Sequence, residues 1–139
     1  MIRHAIPLVL ATLILGATCR DTRAADDHPV VALVKSKVKD PSKPFALLVT
    51  FEVAPDKEKD FLAACAPCIA ATHKEPGCIA YELNHDTDHA EIYVMFEKFK
   101  SIDALNAHIK MKHTDTLLKS IGTMLKSPPK IKVYSAPNS

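Results

Sequence analysis

Two histidines, His108 and His113, stand five residues apart in the stretch FEKFKSIDALNAHIKMKH, residues 96–113. A neutral imidazole accepts a proton near physiological pH and also ligates divalent metals. On one continuous helix a spacing of five turns the chain through about 140°, at ~100° per residue, so the two rings would face apart. A helical zinc pair uses the i, i+4 spacing instead. A chain break near Met111 would turn both rings toward one pocket. Without it they read as a surface histidine and a helix-start histidine bonded to backbone. Cys65 and Cys68 form CAPC, which fits buried free thiols, a disulfide or a redox pair. Reactive pairs sit at helix N-termini, whereas this one falls on an apolar stripe within a helical pattern. Cys78 reads as a small core residue. The cysteines lack the second ligand pair of a structural zinc site. His85 and His89 flank the polar loop HDTDH, whose composition suits either a metal or simple solvation. The spacing assigns no metal site.

The elements that must position these groups follow from periodicity. Pro29 suits a first helical turn, where its missing N–H would have no partner anyway. Val30, Val34 and Val38 then recur at helical spacing, and Pro41 and Pro44 stop the run. Phe45, Leu47, Val49, Phe51 and Val53 alternate as a strand, opposite a mixed face of Ala46, Leu48, Thr50 and Glu52. Phe61, Cys65, Cys68, Ile69 and Thr72 mark a helix that Asp56 can cap, with Pro67 predicting a kink or broken turn. Strands are expected from Cys78 and from Glu91. A short helix capped by Ser101, another over residues 113–125, and a closing strand with Ile131 and Val133 inward complete the chain. The order β-α-β-β-α-β is that of an α+β, ferredoxin-like split βαβ sandwich with an extra N-terminal helix.

The 139 residues suit one domain. At the N-terminus, Arg3 and His4 precede an apolar run from Ala5 to Ala17. It is shorter than the roughly 20 residues a membrane span needs, and it matches a secretory signal peptide. Cleavage is expected after Ala24, with lipidation at Cys19 as the alternative. The expected organisation is 1–24 signal peptide, 25–44 short helix and linker, 45–136 main domain, and 137–139 tail. Residues 1–24 hold Arg3, Arg20, Arg23 and Asp21. Without them Lys+Arg falls from 18 to 15 and Asp+Glu from 16 to 15. A near-neutral chain lacks the basic stripe that nucleic acid requires. An exported, periplasmic or secreted protein is expected, with no stable membrane insertion after cleavage.

The stretches KEPGCIAYEL and IYVMFEKFKSIDALNAHIKMKH, followed by a helix and a closing strand, resemble the antibiotic biosynthesis monooxygenase (ABM) family, which includes small quinol monooxygenases. The matching positions are Pro76, Gly77, Cys78, Tyr81, Glu97, Phe99, Ser101, Ala104, Leu105, His108 and His113, within a resemblance spanning about residues 45–136. Phe99 stands where the family carries Trp, and the chain has no Trp. Thr50 and Glu52 stand where several active relatives carry Asn, so the Asn, Trp and His set of the haem-degrading branch is incomplete. The resemblance implies a homodimer that closes an α/β-barrel between two sheets. It also implies oxygenation of a quinol or related electron-rich aromatic by O2, with neither metal nor flavin as cofactor. On that reading His113 and His108 are catalytic, and Tyr81, Glu97, Phe99 and Thr50 shape the pocket. A non-catalytic dimeric module holding a small aromatic is the alternative, and thiol redox chemistry at CAPC is a third.

Overall fold

The computed structural model describes residues 27–137. The signal-peptide, Ala24 cleavage and Cys19 lipidation readings lie outside the described residues. Helix α1 spans Pro29–Lys37, β1 Phe45–Glu52, α2 Glu58–Thr72, β2 Cys78–His85, β3 Ile92–Phe99, α3 Ile102–Ile109, α4 Lys112–Ile121 and β4 Lys130–Ser135. The four strands form one antiparallel sheet in the order β2-β3-β1-β4, the ferredoxin-like arrangement expected from the element order. Among the described residues no helix is long and apolar enough to cross a membrane.

Strict alternation gives β1 one fully buried face, with Phe45, Leu47, Val49 and Phe51 under the helices. Tyr93, Met95, Glu97 and Phe99 do the same on β3. Phe61 of α2 packs its ring 5.4 Å from both Phe51 and Tyr93, fixing the helix across the sheet. Each of the apolar side chains among them contributes about 1.5–3 kcal/mol. Strand β2 breaks the alternation. A register shift between Cys78 and Ala80 sets two β2 steps against one on β3. The extra residue is the exposed Ile79. That β-bulge is why Cys78 and Tyr81, three apart, both turn toward the helices.

Local expectations were met unevenly. His28 caps α1, its Nδ1 accepting from the Val30 N–H, and Val31, Val34 and Val38 are the valines that bury fully. Ser101 caps α3 through the Ala104 N–H, as expected. Helix α2 starts after Lys57 with no side-chain cap, so Asp56 does not fill that role. The helix also runs unbroken through Pro67, whose ring is exposed on the solvent side.

Candidate active site

Helix α3 ends at Ile109, and α4 begins at Lys112 after an extended Met111 with φ −71° and ψ 143°. This break overturns the continuous-helix geometry and brings the two histidine rings to 6.0 Å between centroids. Both point at one carboxylate, that of Glu75 in the turn after α2. Glu75 Oε1 lies 2.9 Å from His108 Nδ1 and 2.6 Å from His113 Nε2, with Oε2 3.2 Å from His108 Nδ1. An ionised carboxylate only accepts, so each of these nitrogens carries the proton it donates.

Burial grades across the group. The His108 side chain is 2% exposed, Glu75 9% and His113 22%. His108 is therefore no surface residue, and His113, at the start of α4, bonds the Glu75 carboxylate with its side chain rather than backbone. His108 is wedged between the Tyr81 ring at 5.3 Å and the Phe99 ring at 5.1 Å. Burial lowers its pKa below the ordinary value, and the Glu75 carboxylate opposes that less strongly. The ring is thus held neutral. With Nδ1 committed to Glu75, Nε2 is left as acceptor, 3.4 Å from Thr114 Oγ1.

The turn carrying Glu75 is held close to α3. A Cβ on Gly77 would fall 2.5 Å from Ala104 Cβ, so only glycine lets the turn approach this near. The requirement is space, since no glycine has positive φ among the described residues. Lys100 N–H donates to Gly77 O, and Cys78 N–H to Glu75 O, closing the turn.

His108 forms part of the wall of a cavity of about 250 Å³ between sheet and helices. Leu47, Val49, Phe51 and Ile131 give its apolar floor, and Thr114, Leu117 and Ile121 of α4 its roof. His28 and Val30 of α1 sit on its rim. Tyr81 and Glu97 project into it from adjacent strands, paired directly across β2 and β3. Glu97 is 8% exposed, and burial alone pushes its carboxyl up to about 8, so it is mainly protonated at neutral pH. Burial also raises the Tyr81 phenol, helped by nearby Glu97. The cavity wall thus carries a neutral imidazole acceptor, a protonated carboxyl and the neutral Tyr81 phenol, which also bonds the Cys68 thiol, among apolar side chains.

Of the residues singled out from sequence, His108, Tyr81 and Glu97 meet on this cavity. His113 stands behind His108, bonded to Glu75. Phe99 backs the His108 ring without lining the cavity. Thr50 lies on the outer face of β1, opposite Val94 and Lys130, away from the cavity. Glu75 was not anticipated. Its signal was a carboxylate directly before Pro76-Gly77, read only as the end of a helix. Cys65 and Cys68 are free and buried, and burial pushes the Cys65 thiol up to about 12, which suits packing rather than redox chemistry. In the HDTDH loop, His85 stacks on Tyr93 at 4.6 Å while His89 faces Asp86 in the open.

Comparison with known proteins adds an independent line. A family model described as antibiotic biosynthesis monooxygenase matches residues 44–118. Rv0793 of Mycobacterium tuberculosis, which carries a provisional monooxygenase name, is 29% identical over 94 residues, covering 68% of this chain and 92% of its own. Its solved structure superimposes with a TM-score of 0.66 at 27% identity, covering 70% of this chain and 98% of that one. A Caulobacter crescentus structure described as an antibiotic biosynthesis monooxygenase shares the fold, with a TM-score of 0.66 at 23% identity, covering 70% and 92% of the two chains.

Proposed function

Because the chain belongs to the antibiotic biosynthesis monooxygenase family, we propose that it is an exported oxygenase that uses O2 on a quinol or related electron-rich aromatic, without a cofactor of its own. The observation that carries this reading is His108, sealed on the wall of an apolar cavity and held in one tautomer by Glu75. A cavity of about 150 Å³ accepts benzene. The one here, about 250 Å³, suits a substituted single ring or a compact fused one.

The chemistry follows from the substrate's own electrons. His108 Nε2 takes a phenolic proton, and Glu75 stabilises the imidazolium that forms. The resulting anion is rich enough to pass an electron to O2. Glu97 and Tyr81, both neutral, offer hydrogen bonds to the oxygen on which negative charge develops. One oxygen atom of O2 ends in the ring and the other leaves as water. The apolar walls limit loss of the radical pair to solvent. His113 lies outside the cavity wall and serves as a positioning residue for Glu75.

The half-buried outer face of the sheet, with Leu48, Val94 and Phe96, supports pairing with a second copy of the chain. The test of function is oxygen uptake by purified protein with a panel of hydroquinones and anthrones, against a protein-free control for autoxidation. Saturable uptake that His108→Ala abolishes is the expected result. Uptake unchanged in that variant sinks the assignment. Phe99 in place of Trp favours a second reading, a dimeric module that holds an aromatic without turning it over. Saturable binding with no uptake would select it.

A further inference from the structure

The geometry points to a binding site for one divalent transition ion, of the zinc or cobalt kind, formed by Glu75, His108 and His113. Each residue offers one ligand atom, and these atoms lie within 4.8 Å of one another. The two shortest separations, 2.6 and 2.9 Å, are close to the ~3 Å between two ligands at right angles about 2.1 Å from a shared ion. Two imidazoles and one carboxylate favour zinc, cobalt, nickel or ferrous iron over calcium or magnesium, which prefer all-oxygen sets. Three protein ligands would leave further positions open.

The ligands come from three elements that are already fixed relative to one another. Gly77 against Ala104 holds the Glu75 turn on α3, and the extended Met111 aims α4 at it. Little reorganisation is then needed for binding. His113, the most exposed of the three, borders an outer groove with Pro67, Lys112 and Thr116. That groove gives an ion access without passing through the substrate cavity. Lys112 at its edge opposes cation binding and moderates the affinity.

Binding has a consequence for the cavity. His108 Nδ1 and His113 Nε2 each now present a proton to Glu75, but a metal ligand must present a lone pair. Each ligating ring therefore carries its remaining proton on its other nitrogen. For His108 that nitrogen is Nε2, so the acceptor on the cavity wall becomes an N–H donor. An ion bound here switches off proton abstraction. This consequence rests on the oxygenase reading, whereas the binding itself does not.

The test is titration of metal-free protein with Co2+ under argon and without substrate, followed by visible ligand-field absorption. The expected result is saturation at one ion per chain. Affinity should fall at least about tenfold in Glu75→Gln and in His113→Ala, and stay unchanged in His89→Ala. Zn2+ should displace the cobalt and raise the melting temperature of the native protein but not of Glu75→Gln. Absorption that persists undiminished in both site variants, or that vanishes in His89→Ala, overturns the proposal. So does the lack of saturable absorption in natively folded protein. Far-UV circular dichroism verifies each fold, and His113→Ala, at the partly exposed position, decides alone should Glu75→Gln misfold. No substrate is present, so failure of ion binding and failure of the oxygenase reading are separately visible.

Discussion

Two clusters in this chain draw on the same residue types, a pair of histidines beside carboxylates, and differ in nearly everything else. His85, Asp86, Asp88 and His89 lie within five residues, from the last residue of β2 into the loop before β3. Glu75 reaches His108 and His113 across 33 and 38 residues of sequence. The loop cluster is open to water, with His89 paired to Asp86 at 3.3 Å and a side chain 65% exposed. Water competes for every bond there, and salt screens such a pair, so it adds little to stability. In the second cluster His108 and Glu75 are nearly sealed, and each bond replaces solvent that is no longer available. Residue type is therefore a poor guide to chemistry. What separates the clusters is whether tertiary packing removes water and fixes the angle of approach.

Breaking the buried cluster should have the largest effect. His108→Ala should lower turnover by about 10²–10⁴-fold, and Glu75→Gln should fall in the same direction by removing the negative charge that stabilises the imidazolium. Oxygen uptake measures both, and parity with native protein would erase the functional contrast between the clusters.

A smaller effect is expected from the turn that delivers Glu75. Gly77→Ala forces a Cβ to within 2.5 Å of Ala104 Cβ, which should cost about 1–3 kcal/mol. Urea denaturation reads the loss. Ala104→Gly in the same chain should recover part of it, and an additive double variant would refute the close-approach explanation.

Glu97 sharpens the comparison through pH. Its folded pKa, about 8, stands above the ordinary 4.5. The folded state therefore keeps a proton that the unfolded chain releases between those values. The associated stability is fully present below about 4.5 and is lost as pH rises through about 8, by up to about 1.4 kcal/mol per pH unit. Melting temperatures from pH 5 to 8 should fall more steeply for native protein than for Glu97→Gln. Parallel curves would mean that Glu97 is already ionised.

The smallest effect belongs to the loop. His89→Ala should change stability by no more than about 0.5 kcal/mol and leave oxygen uptake intact. A marked loss of uptake would show that the exposed cluster takes part after all.

Much of the scaffold was legible because it is written in short-range periodicity. Alternation at residues 45–53 identified the buried face of β1, and Ser101 announced α3. Legibility failed where one residue's neighbours decide. Val31 rather than Val30 buries, because α1 docks at an angle that its own stripe does not specify. Thr50 faces outward with the other even-numbered residues of β1, as alternation itself requires. Its pocket role came only from analogy with relatives.

By itself, then, the sequence determined the order of elements, their apolar faces and the motif that marks the family. Period and propensity are local, and burying those faces leaves few topologies. The tertiary structure alone decided that His108 and His113 converge, that Glu75 is their shared partner, and that a bulge at Ile79 turns Tyr81 toward Glu97. These depend on the break at Met111, on the close approach of Gly77 to Ala104, and on register between strands. Such contacts form between residues dozens of positions apart, where no local pattern records which groups will meet or whether water will remain between them.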